Sequence, residues 1–190
     1  MASVAVFGGS FSPVHDGHMA VASQTLANGL AEEVWMMPCR LNPLKNGKGL
    51  LPDDTRVRLL RDAVEYYRRE KGQGGIKVDL TELQLPSPSY TALTLRHLAV
   101  KYPLHRFCLL VGADSYRDFE KWKDWKWIEE NFNPIVYPRP GYEIMSVRPN
   151  WTLLENVKET DASSSAIREG GLSRDDLRRL MPWMESASLR

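Results

Sequence analysis

Four short runs of contiguous apolar residues set the terms for any fold of this chain. They are Val4-Ala-Val-Phe7, Val34-Trp-Met-Met37, Phe107-Cys-Leu-Leu-Val111 and Ile135-Val-Tyr137. The first three stop at Gly8-Gly9, at Pro38 and at Gly112. Contiguous rather than alternating apolar residues mark strands buried on both faces, as in a parallel sheet. Between the runs lie stretches of helical spacing. Residues 18–30 place Met19, Ala22, Leu26 and Leu30 at such intervals, closed by Asn28-Gly29. From Asp53 onward Val57, Leu60, Val64 and Tyr67 share one face, with arginines opposite, until Gly72-Gln-Gly-Gly75. Thr91 to Tyr102 and Phe119 to Trp127 also read as helical, and short helices follow Ser163. Ile76-Lys-Val-Asp79 supplies a further strand. The alternation predicts an α/β fold, a Rossmann-like parallel sheet with helices on both faces, in one domain over 1–190.

The chain has 190 residues, of which 43% are hydrophobic, with six Trp, seven Tyr and five Phe. So many large apolar side chains exclude a disordered chain. Twenty-five Lys and Arg against 24 Asp and Glu give a net charge of +1, so no general affinity for nucleic acid or membrane surfaces is expected. An anionic ligand must then be held by a local cluster. Cys39 and Cys108 are too few to form a zinc cluster and read as reduced thiols of a cytoplasmic protein. Met1 to Phe7 has no basic leader character, and no apolar stretch nears the roughly 18 residues of a membrane helix. Nothing in the sequence indicates an oligomeric state.

Parallel sheets bind ligands beyond the carboxyl ends of their strands. That rule selects Gly8 to His18, Pro38 to Lys48, Gly112 to Trp125 and the segment from Arg139 onward. The first of these lacks both G-x-G-x-x-G and the P-loop pattern, which argues against a dinucleotide cofactor held in the usual way. It keeps the ingredients of a phosphate site: glycines that let amides approach an anion, and a helix start. His15 and His18, three apart, point the same way from that start. A lone histidine there is more often a cap or a surface residue, whereas a pair after a glycine turn favours a ligand role.

The full segment G-G-S-F-S-P-V-H-D-G-H resembles the signature G-G-[ST]-F-[DN]-P-x-H-x-G-H. Ser163-Ser-Ser-Ala-Ile-Arg168 is similar to I-S-S-T-x-I-R, and Val111-Gly-Ala-Asp-Ser115 to a G-A-D-S element. Trp122 and Trp125 make the W-x-x-W that follows it. Pro88-Ser-Tyr-Thr91 and Tyr137-Pro-Arg-Pro-Gly141 resemble the P-S-Y-T and R-P-G segments. In this order the elements resemble the bacterial nicotinate-nucleotide adenylyltransferase family, of the H-x-G-H nucleotidyltransferase superfamily. The chain departs from the pattern at Ser12, where Asp or Asn is usual, at Ala162 and Ser165, and at Leu44-Lys45, where a His-Lys or His-Arg pair is common.

The resemblance implies transfer of the adenylyl group of ATP to nicotinate mononucleotide, giving nicotinate adenine dinucleotide and pyrophosphate in NAD biosynthesis. The attacking phosphate is already ionised, so no general base is required. His18, assisted by His15, is expected at the α-phosphate, and Arg168 at the β and γ phosphates, since guanidinium pairs bidentately with phosphate. Gly8, Gly9, Ser10, Phe11, Gly17, Lys45, Asp114, Arg139, Ser163 and Ser164 complete the expected ATP set. Ser163-Ser-Ser also reads as a plain N-cap run, Asp114 as a helix cap and Lys45 as a surface charge. For the mononucleotide, Trp122 would stack on the pyridine ring, with backbone amides near Tyr90 and Thr91 at its carboxylate. Mg²⁺ is expected on the ATP phosphates, with no protein metal site. Nicotinamide mononucleotide, phosphopantetheine or a non-catalytic nucleotide-binding role are the alternatives.

Overall fold

The computed structural model describes residues 2–40, 50–88, 90–157, 163–170 and 172–184. Strands β1 (Ser3–Gly9), β2 (Glu33–Pro38), β3 (Ile76–Val78), β4 (Arg106–Gly112), β5 (Ile135–Tyr137) and β6 (Thr152–Leu153) form one sheet in the order β3-β2-β1-β4-β5-β6. Every pairing is parallel. The chain leaves β1 for one side of the sheet and returns through β4 to the other, so the strand order reverses between β1 and β4. Their carboxyl ends therefore flank a crevice.

The helices are α1 (Asp16–Ala27), α2 (Asp53–Glu70), α3 (Thr81–Gln84), α4 (Thr91–Lys101), α5 (Ala113–Arg117), α6 (Trp125–Phe132), α7 (Ser164–Glu169) and α8 (Arg174–Leu180). Successive residues of β1 point to opposite faces. Ala5 and Phe7 join a core with Met19 of α1 and with Leu60, Ala63 and Tyr67 of α2. Val4 and Val6 join the other, with Leu95 and Leu98 of α4 and Ile128 of α6. Both faces of the sheet are thus covered, as contiguous apolar strands require.

Three details differ from the expectation. Helix α1 begins at Asp16, two residues early, because His15 takes the extended capping position at φ −143°. The stretch from Phe119 to Trp127 is not one helix: a 3₁₀ turn at Phe119–Lys121 ends at extended Trp122, and α6 restarts after left-handed Asp124 at φ 55°. Strand β6 has only two residues, both exposed, and left no apolar pattern to read. No disulfide involves Cys39 or Cys108, and among the described residues no helix is long and apolar enough to cross a membrane.

Candidate active site

The loop after β1 is shaped by a close approach and by a strained residue. A Cβ on Gly9 would lie 3.0 Å from the tip of the Phe11 ring. Phe11 itself has φ +41°, a left-handed conformation costing about 1–2 kcal/mol for a residue with a side chain. Burial offsets that cost: the ring is 1% exposed and packs edge-on against Phe7 at 5.5 Å and His18 at 5.1 Å. Side chains from two helices then hold the loop carbonyls. Arg56 donates to Ser10 O at 2.5 Å, Arg168 to Ser12 O, and Ser164 Oγ to Pro13 O at 2.9 Å. Ser12, wholly buried, accepts the Leu51 N–H on its hydroxyl at 2.8 Å. The short hydroxyl thus ties the loop to the entrance of α2.

The two histidines differ in environment. His15 is 4% exposed, and its ring nitrogens have no hydrogen-bond partner among the described residues. Burial, aided by the charge of Arg139, lowers its pKa to about 4, so the ring is neutral at neutral pH. The His18 ring lies 3.8 Å from it, centroid to centroid. His18 Nδ1 accepts the His15 N–H at 3.2 Å, which places the imidazole proton on Nε2. His18 lines a cavity of about 430 Å³, whereas His15 is set back behind it.

Gly8, Gly9, Ser10 and Phe11 form one wall of this cavity, and Ser163, Ser164, Ser165 and Arg168 another. Ser163 Oγ accepts Ala166 N–H at 3.0 Å and caps α7, so the capping reading and a place at the cavity hold together. Arg168 also donates to Ser165 Oγ at 3.2 Å.

The floor lies at the end of β4. Gly112, not Asp114, caps α5. A Cβ on Gly112 would meet Asp114 Oδ1 at 2.6 Å and Arg139 Cδ at 2.7 Å. Glycine there lets Asp114 Oδ2 pair with Arg139 Nη1 at 3.0 Å. Asp114 Oδ1 is buried and has no partner among the described residues. Tyr137 beneath them is buried, which pushes its hydroxyl up to about 12.

At the far end Tyr90 caps α4, its carbonyl accepting from Leu93 and Thr94. The amides of Thr91 and Ala92 precede the first of these bonds and belong to the unpaired start of the helix. Half-buried Trp122 lines the same cavity as Tyr90 and Thr91, packed on Phe119 at 5.4 Å. The Lys123 ammonium sits 4.8 Å from the Tyr90 ring. Trp125 and Trp127 point elsewhere, under Arg148 at 5.2 Å and Arg96 at 4.0 Å.

The sequence profile of the cytidylyltransferase-like family matches residues 6–170. A probable nicotinate-nucleotide adenylyltransferase of Porphyromonas gingivalis is 38% identical over 183 residues, covering 95% of this chain and 90% of that protein. The chain belongs to the nicotinate-nucleotide adenylyltransferase family. The Bacillus subtilis nicotinate-nucleotide adenylyltransferase is 30% identical over 185 residues, 96% of this chain and 92% of its own length. The Plasmodium falciparum nicotinic acid mononucleotide adenylyltransferase, solved with NaAD, matches all of this chain and 97% of its own with a TM-score of 0.71. At 19% identity that likeness shows the fold alone.

Of the residues the family signatures select, the structure gathers Gly8, Gly9, Ser10, Phe11, His18, Tyr90, Thr91, Asp114, Trp122, Arg139, Ser163, Ser164 and Arg168 around one cavity. His15 stands behind it, and Gly17, in the first turn of α1, is not on its wall. Lys45 lies outside the described residues. Sequence reasoning missed Arg56. The buried stripe of α2 is Arg56, Leu60, Ala63 and Tyr67, not the Val57–Leu60–Val64–Tyr67 face, so Arg56 is inside rather than among the solvated arginines. The 4-3-4 spacing of that stripe was the available signal.

Proposed function

We propose that this nucleotidyltransferase moves the adenylyl group of ATP onto the 5′-phosphate of nicotinate mononucleotide, releasing pyrophosphate. One observation carries the reading: a single cavity joins a phosphate half, built by the glycine loop, His18, Ser163 and Arg168, to a ring half, built by Trp122 and the start of α4. ATP and the acceptor meet where the halves join. The acceptor phosphate attacks the α-phosphorus in line, the bond to the β-phosphate oxygen breaks, and pyrophosphate leaves. The phosphate is already an anion, so the protein's task is positioning and charge stabilisation. His18 Nε2–H donates to the α-phosphate oxygens as charge develops. His15, neutral, backs the His18 ring and offers its amide to His18 Nδ1. Arg168 turns from Ser12 and Ser165 to grip the leaving pyrophosphate.

Among the described residues no group of three or more His, Cys, Asp or Glu could hold a metal ion. On this reading Mg²⁺ comes on the ATP phosphates, where it would neutralise their charge. The unpartnered Asp114 Oδ1 suits a water of that ion's shell or a ribose hydroxyl.

At the ring half, Trp122 stacks on the pyridine, and the backbone amides near Tyr90 and Thr91 read its carboxylate. A carboxylate accepts from both N–H groups, whereas an amide turns its own NH₂ toward one of them. The flat indole wall suits a ring better than an extended pantetheine arm. The test is pyrophosphate release from Mg-ATP with each acceptor in turn. Release that depends on nicotinate mononucleotide supports the reading; release independent of any mononucleotide, or none at all, overturns it.

A further inference from the structure

We propose that Arg56 is a positioning residue for the phosphate half of the site, holding the Ser10–Phe11 peptide in the orientation that presents its amide to the nucleotide. The proposal rests on the adenylyl-transfer reading and adds to it a residue that lies outside the cavity.

Arg56 is an unexpected occupant of its position. It fills the first place of the buried α2 stripe, and its side chain is 1% exposed. An apolar residue would complete that stripe without the cost of burying a charge. The fork is split between two elements. Nη1 donates to Ser10 O at 2.5 Å, 46 residues away in the chain, and Nη2 to Asp53 Oδ1 at 2.5 Å, at the first residue of α2. Asp53 in turn lies 3.9 Å from Arg40 Nε, just past the end of β2. One nitrogen of the fork thus reaches the glycine loop while the other is anchored to the first turn of α2 itself, an orientation that a point charge cannot reproduce.

The Ser10–Phe11 bond is trans, so its N–H points opposite to its C=O. With the carbonyl held by Arg56, the Phe11 N–H points away from α2. Ser10 and Phe11 line the cavity while Arg56 does not. Phe11 sits in the left-handed region at φ +41°, a conformation that persists only where its surroundings enforce it. Arg56 is the brace on the amino side of that residue, as Arg168 on Ser12 O is on the carboxyl side. Arg168 is free to exchange that contact for a phosphate; Arg56, locked behind the loop, keeps it.

The experiment compares Arg56→Lys, Arg56→Met and Asp53→Asn with the unmodified chain. ATP and nicotinate mononucleotide are varied independently, and tripolyphosphate binding is measured by calorimetry. The proposal predicts that Arg56→Met raises the KM for ATP and weakens tripolyphosphate binding together, by about tenfold to a hundredfold for one lost charged hydrogen bond. The mononucleotide KM stays within about twofold, and Arg56→Lys and Asp53→Asn show smaller losses of the same kind. A lower maximal rate with both KM values and the tripolyphosphate affinity unchanged would mean only fewer folded molecules, and overturns the proposal. Should Arg56→Met fail to fold, unchanged ATP KM and tripolyphosphate affinity in the other two variants overturn it as well. If the unmodified chain transfers no adenylyl group, the reading it rests on fails, and tripolyphosphate binding alone then decides the role of Arg56.

Discussion

His18 Nδ1 accepts the backbone N–H of His15 at 3.2 Å, so the bond that closes the first turn of α1 also sets the tautomer of the ring facing the cavity. An Nε2–H donor is what a developing negative charge on the α-phosphate needs. His18→Ala is expected to lower kcat by about 10²–10³-fold, the usual cost of losing one preorganised donor. Circular dichroism should show the fold intact. Near-normal turnover in the folded variant would remove His18 from the mechanism.

His15 predicts a pH dependence of stability. Its ordinary pKa of 6.5 falls to about 4 in the folded chain, so below pH 6.5 the unfolded chain takes up a proton that the folded one refuses. Stability from this group is full above about pH 6.5, falls as the pH drops toward 4, and is level below that. The difference across the window is about 3 kcal/mol. Urea unfolding of the unmodified chain and of His15→Gln at several pH values checks this: the variant should lose this part of the slope.

Arg168→Lys keeps the charge but not the fork that now spans Ser12 O and Ser165 Oγ. We expect the KM for ATP to rise about tenfold and turnover to fall, with the mononucleotide KM unchanged. Steady-state kinetics with ATP varied decides it. Unchanged ATP kinetics would make Arg168 a loop brace alone.

Gly112→Ala tests the floor of the site. Its Cβ would lie 2.6 Å from Asp114 Oδ1 and 2.7 Å from Arg139 Cδ, so the Asp114–Arg139 pair must open or shift. The expected result is a loss of ATP affinity of about tenfold and a stability loss of about 1–3 kcal/mol from overpacking. Equilibrium ATP binding and urea unfolding measure the two. A variant matching the unmodified chain in both would show that the pair plays no part in binding.

The strands β1, β2, β4 and β5 were legible because a strand buried on both faces must be apolar throughout, and the sequence has few such runs. Gly9, Gly112 and the His15–His18 spacing were legible because close approach and helix starts restrict residue type. The break between Trp122 and Trp125 was not: it depends on Asp124 adopting a left-handed conformation beside the Arg96 guanidinium, 2.7 Å from its carboxylate, a tertiary contact no local pattern encodes. Arg56 was hidden for a related reason. An arginine in an amphipathic helix reads as solvated, and only the partner carbonyl of Ser10, far away in sequence, makes its burial tolerable. The roles of Ser12 and Ser164 likewise rest on chain segments 39 and 151 residues distant.

The most direct test is a competition. The chain is given Mg-ATP and equal concentrations of nicotinate and nicotinamide mononucleotide, and the dinucleotides formed are separated and counted at early times. One charge-assisted bond left unmade at the amides near Tyr90 and Thr91 predicts an excess of nicotinate adenine dinucleotide of about tenfold to a hundredfold, with one pyrophosphate per dinucleotide. A predominance of the amide product, or no dinucleotide from either acceptor, would contradict the account.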